Sequence, residues 1–167
     1  IFVIGRDLEN PEVFARVRAW SQAGHEIGNH TYTHETRLGT LPHAEMEAEV
    51  LKSHEIITRC TGVEPKGFIS PTWNVSPELV EILLKANYVY DTSIFPSYFL
   101  YLLLLKLKFM KKGGGAHIVD TALATRGDGF APLFAPRKPY FVTPNSLLKK
   151  EDHGLLMMPL PVTPFLR

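Results

Sequence analysis

The chain has 167 residues, 45% apolar and 21% charged, enough for one domain with a real core. A formal net charge of +1 excludes the basic stripe of a nucleic-acid binder. The one cysteine, Cys60, excludes an intrachain disulfide, which fits a reducing compartment and equally a disulfide-free periplasmic protein, so localisation stays open.

In chain order, Ile1 to Ile4 reads as a buried strand. Asn10-Pro11 supplies an N-cap with proline at the first helical position. Val13, Val17 and Trp20 then follow at helical spacing until Gly24. His25 to His30 is expected to be a short strand running into a loop. A second helix is expected from about Pro42 to Cys60, with Met46, Val50 and Ile57 on its inner face and Gly62 as the stop. Lys66 to Ser70 reads as a strand. Ser76-Pro77 repeats the cap-plus-proline signature ahead of a helix that ends at Asn87, and Tyr88 to Asp91 is a strand.

Alternating strands and helices with short connections predict an α/β fold with a mainly parallel sheet. Chemistry in such sheets gathers at the carboxyl ends of the strands. His30 to His34, Ser70 to Asn74 and Asp91 all fall there.

Beyond Pro96 the pattern breaks. Tyr98 to Met110 is apolar but too short and too charged to span a bilayer, and reads as a helix packed on the sheet or on a partner. Gly113-Gly114-Gly115 reads as a hinge. Residues 120 to 154, rich in Pro and Gly, are expected to form a long loop before a strand from Leu155 to Thr163. The strand-like runs at both ends predict that the chain is part of a longer protein.

The informative stretch is Gly24-His25-Glu26-Ile27-Gly28-Asn29-His30-Thr31-Tyr32-Thr33-His34. Two imidazoles four residues apart can face one metal ion when a turn or curled loop brings them round. Neutral imidazole suits zinc and its neighbours. Thr31 and Thr33 can bond the loop backbone and hold the ligands. Glu26 and Asn29 lie beside the pair. His43, His54 and His117 read as surface or cap residues, and Cys60 as a packed or half-exposed thiol.

With its flanks, Ala23 to His34 resembles the second motif of the polysaccharide deacetylase family, the NodB-homology domain of carbohydrate-esterase type, whose core is His, Ser or Thr, two residues, His. Gly62 to Phe68 is similar to the run into the family's third motif, and Tyr88 to Ser93 to the strand after the next helix. The likeness covers residues 1 to 96 well and 155 to 167 loosely.

The resemblance implies a distorted (β/α) barrel, incomplete here at both ends, forming a single domain with a variable insert at about 97–154. It implies a divalent metal, zinc first, with His30 and His34 as ligands, and hydrolysis of N- or O-acetyl groups on an acetylated polysaccharide or cell-envelope glycan. Thr72, Trp73 and Asp91 are the candidate substrate-binding residues, although turn-capping suits Asp91 as well and core packing Trp73.

The sequence departs from the family pattern in three places. The first motif, with the base Asp and the ligand Asp, belongs ahead of Ile1. The Arg of the third motif is replaced by Ile69, with Trp73 one place late. The late motif with the catalytic His is absent, since His153 stands before the last strand. No catalytic residue is therefore assigned within the chain. The rival readings are a carbohydrate-binding relative without catalysis and, less well matched to an intact His pair, a metal-independent amide hydrolase on the same fold.

Overall fold

A computed structural model of the chain describes residues 1–97 and 134–161, with Leu102 and Lys106 between them. The sheet holds β1 (Phe2–Val3), β2 (Gly28–Asn29), β3 (Gly67–Phe68), β4 (Tyr90–Asp91), β5 (Tyr140–Thr143), β6 (Ser146–Glu151) and β7 (Leu155–Met157). The helices are α1 (Pro11–Gln22), α2 (His43–Thr61) and α3 (Pro77–Lys85), with 3-10 turns at Gly5–Glu9, Leu38–Thr40 and Pro71–Trp73.

Helix ends follow local chemistry. The Asn10 side chain accepts the Glu12 N–H at 2.9 Å ahead of Pro11, and the Ser76 hydroxyl accepts the Leu79 N–H at 3.2 Å ahead of Pro77. Gly62, at φ 77°, closes α2 in the left-handed conformation that glycine adopts without a Cβ penalty. Along α2, Met46, Val50, Ile57 and Cys60 are buried at helical spacing. They join α2 to two packed clusters. One, with Phe68, Leu79, Leu83, Val142 and Leu155, lies between sheet, α2 and α3, and the other sets Leu8, Val17 and Ile27 against α2.

The sheet order is β1-β2-β3-β4-β7-β5-β6. The first five are parallel, and β5 runs antiparallel to both β7 and β6. No pairing joins β1 to β6, so among the described residues the sheet is open. Neighbouring strands approach closely at Gly67, where a Cβ would fall 2.2 Å from the Tyr90 ring.

The α/β class and the three early helices agree with the sequence reading. The strand expected over His25 to His30 is paired only at Gly28–Asn29. The loop expected over 120–154 is corrected by β5 and β6, which form an antiparallel hairpin through Pro144-Asn145. Its sequence signal was the aromatic and β-branched run Tyr140-Phe141-Val142-Thr143, but neighbouring prolines obscured it. Residues 120–133, the Gly113 to Gly115 hinge and His117 lie outside the described residues, as does the 98–110 helix apart from Leu102 and Lys106.

Leu83 sits fully buried on α3. Its replacement by Ala should remove about 2–5 kcal/mol of stability in urea denaturation. Exposed Val89→Ala should stay within about 0.5 kcal/mol. Equal losses would contradict this placement of the core.

Candidate metal centre

Beyond the carboxyl ends of β2, β3 and β4 the chain turns into the segments His30–His34, Ile69–Asn74 and Thr92–Ser97. Ladder-like bonds extend past the strands and hold these segments side by side. The His30 amide donates to the Val3 carbonyl, Ile69 to Asn29, and Thr92 to Phe68, at 2.9 to 3.0 Å.

The His30–His34 segment is bent by two non-glycine residues in the left-handed region, Thr31 at φ 63° and His34 at φ 62°. Each such residue costs on the order of 1 kcal/mol. Polar contacts on all sides hold the bend. The Thr31 amide donates to Asn29 Oδ1 at 2.8 Å, the Thr33 amide to Glu49 Oε2 at 2.9 Å, and the His34 amide to Thr31 Oγ1 at 3.1 Å. The Thr31 and Tyr32 carbonyls accept the amides of Gly5 and Arg6, both at 2.9 Å. Tyr32 donates its hydroxyl to Glu9.

This bend brings the two imidazoles together, with ring centroids 4.8 Å apart and planes at 73°. His30 Nδ1 lies 2.7 Å from the Ile69 carbonyl. A carbonyl only accepts, so Nδ1 carries the proton and Nε2 the lone pair. That is the arrangement of a metal-ligating histidine whose other nitrogen is fixed by the backbone. Burial holds the His30 pKa below its ordinary value, opposed by the bond to Ile69 and reinforced by the His34 charge. His34 is exposed. The pair fits as two ligands of a divalent cation. Among the described residues no third His, Cys, Asp or Glu completes a metal-holding group.

Thr72 (φ 57°) and Trp73 (φ 53°) form a second strained pair in the turn after β3. The Thr72 hydroxyl donates to the Thr36 carbonyl at 3.1 Å, and the part-exposed Trp73 ring lies 5.4 Å from Phe95. Asp91 is fully buried at the end of β4. Its Oδ1 accepts the Ser93 amide at 2.8 Å and the Ser93 hydroxyl, which in turn accepts the Ser70 amide at 2.7 Å. Asp91 thereby braces the Ile69–Asn74 segment from beneath. The Ile69 side chain is half-buried where the family pattern has Arg.

Three features lay outside the sequence reading. The partner of His30 is a main-chain carbonyl, which no side-chain pattern reveals. Glu49, two turns into α2, stands 16 residues from Thr33 in sequence. His54, expected at the surface or in a cap, is half-buried with Nδ1 3.2 Å from the Tyr88 hydroxyl. His43 is exposed at the start of α2, and Cys60 is buried with its thiol 3.3 Å from the Phe14 carbonyl.

The paired imidazoles thus lie on a bent loop at the carboxyl edge of the parallel part of a mixed α/β sheet, where such folds place their chemistry. The polysaccharide deacetylase family model matches residues 1–90, more than half of the chain, and the chain belongs to that family. It is 42% identical over 72 residues to a peptidoglycan deacetylase of Helicobacter pylori, covering 43% of this chain and 24% of that protein. It is 35% identical over 85 residues to a peptidoglycan-N-acetylglucosamine deacetylase of Bacillus cereus, covering 50% and 28%. The chain thus spans about a quarter of the length of these relatives. Among solved structures, a protein described as a polysaccharide deacetylase from Mycobacterium smegmatis superposes with a TM-score of 0.59 at 18% identity, over 95% of this chain and 39% of that one. A CE4 family pseudoenzyme from Bacillus anthracis superposes at 0.51 and 16% identity, over 95% and 43%. Both structural likenesses show the fold alone.

Burial pushes the Asp91 carboxyl up to about 7 from 3.8. A raised folded-state pKa means that the folded chain holds this proton more tightly than the unfolded one. The stability it contributes is full below about pH 4 and is lost as pH rises through about 7. Asp91→Asn abolishes that ionisation, so its stability relative to the parent should rise between about pH 4 and pH 7 and level off above, read from urea-denaturation midpoints. A difference that stays flat with pH would contradict the buried, protonated state.

Proposed function

We propose that this chain supplies the metal-binding face of an enzyme that hydrolyses acetyl groups from a cell-wall glycan. Peptidoglycan is the first candidate, since both matched relatives are named for deacetylating it. The observation that carries the reading is the His30–His34 pair, with rings 4.8 Å apart and His30 Nδ1 tied to a carbonyl. A divalent cation, zinc first, supplies there a polarised acetyl carbonyl and an acidified water.

The chain's own residues have distinct parts. His30, kept neutral by burial and oriented through Ile69, presents Nε2, and His34 closes the other side. Trp73, braced on Phe95, offers an aromatic face to the C–H surface of a sugar ring. Thr72 flanks it. Asp91 orders this turn through Ser93 rather than touching the glycan itself. No residue of this chain is assigned as the base that takes the water's proton or as the general acid.

One observation favours a second reading. Ile69 can neither pair with a carboxylate nor satisfy its lone pairs, as expected of a relative that binds glycan without hydrolysing it. The readings separate on a protein joining this segment to an upstream Asp pair. Metal-dependent acetate release from an acetylated glycan supports hydrolysis, and glycan binding without release supports the second reading.

The metal assignment is tested on the chain itself. Replacing His30 or His34 by Ala should abolish stoichiometric Co2+ uptake, followed by its visible absorption. A double Ala variant that takes up Co2+ as the parent does would overturn the site.

A further inference from the structure

We propose that Glu49 of α2 is a positioning residue for the His30–His34 pair, acting through Thr33, an inference that rests on the metal reading above. The His34 backbone sits at φ 62°, a conformation that a non-glycine residue keeps only when its surroundings impose it. The residue immediately before it, Thr33, is gripped twice by one carboxylate. Glu49 Oε2 accepts the Thr33 amide at 2.9 Å and Oε1 accepts the Thr33 hydroxyl at 2.8 Å. Among the described residues no carboxylate, Glu49 included, joins the imidazoles in a metal-holding group, so Glu49 is placed on Thr33 and not as a ligand.

The grip also has a firm base. Glu49 precedes Val50, which is fully buried and whose carbonyl accepts the Asn29 amide group at 3.0 Å. The same turn of α2 therefore holds the loop at two points, Asn29 before the first histidine and Thr33 before the second. Lys52, one turn on, lies 5.6 Å from the Tyr32 ring between them. The Thr31 hydroxyl alone holds the His34 amide, from within the loop. Glu49 fastens the loop to the scaffold from outside.

The side chain is half-buried on a surface helix. Alanine there keeps the helix, having the higher propensity, so loss of the grip can be separated from loss of the fold. Glutamine keeps an acceptor oxygen but no charge. Three versions of the full chain should be compared: the parent, Glu49→Ala and Glu49→Gln. In the metal-free state, hydrogen exchange of the Thr33 amide should quicken about tenfold in Glu49→Ala and stay near the parent in Glu49→Gln. In Co2+ titrations, Glu49→Ala should weaken binding by about 10-fold or more, the usual effect of losing a residue that orients a ligand. Glu49→Gln should recover most of that loss, and melting temperatures should match.

If Glu49→Gln loses Co2+ as Glu49→Ala does, the residue acts by charge or as a ligand, and the proposal is overturned. Unchanged exchange and affinity in Glu49→Ala overturn it equally. A parent chain that takes up no Co2+ defeats the metal reading instead, and the exchange comparison still decides whether Glu49 holds the loop.

Discussion

The side-chain amide of Asn29 is the contact on which the rest of the site depends. It is fully buried and links three elements: Nδ2 donates to the Val50 carbonyl of α2 at 3.0 Å and to the Tyr88 hydroxyl beside β4 at 2.6 Å, while Oδ1 accepts the Thr31 amide at 2.8 Å. Each bond contributes only about 0.5–1.5 kcal/mol net, but a buried partner left without one costs about 1–3 kcal/mol. Removing the amide would take the Thr31 N–H's partner and one bond each from the Val50 carbonyl and from the Tyr88 hydroxyl, which keeps His54. The register of β2 against α2 and the left-handed turn at Thr31 are therefore fixed jointly, and the direction of both imidazoles follows from them.

Much of this was legible in the sequence. Asn10-Pro11 and Ser76-Pro77 announced two helix starts, and both caps form as expected. The spacing of Met46, Val50 and Ile57 marked the buried face of α2. The two histidines and their flanks carried the family. The strands were read longer than they are, because apolar runs do not show where pairing stops: β1 to β4 each hold two residues. The β5–β6 hairpin was hidden among prolines.

What the sequence could not show is the tertiary support of the site. The Ile69 carbonyl, the Glu49 carboxylate and the Asp91–Ser93–Ser70 relay act across 39, 16 and 23 residues of chain. None of these pairings has a local period. Ile69 illustrates the difference: its side chain breaks the family pattern, yet its main chain fixes the His30 tautomer. Substitution at that position changes the side chain and leaves the carbonyl that holds His30 in place. Strain is likewise concentrated where the chemistry is expected, at Thr31, His34, Thr72 and Trp73, with Asn87 the other non-glycine residue at positive φ.

The central claim is that His30 and His34 together bind one ion, and X-ray absorption at the metal edge of the zinc-loaded chain tests it most directly. Two imidazole nitrogens are expected at about 2.0–2.1 Å, recognised by the multiple scattering of their rings, with oxygen in the remaining positions. A first shell of oxygen alone, or one containing the Cys60 sulfur, would contradict it.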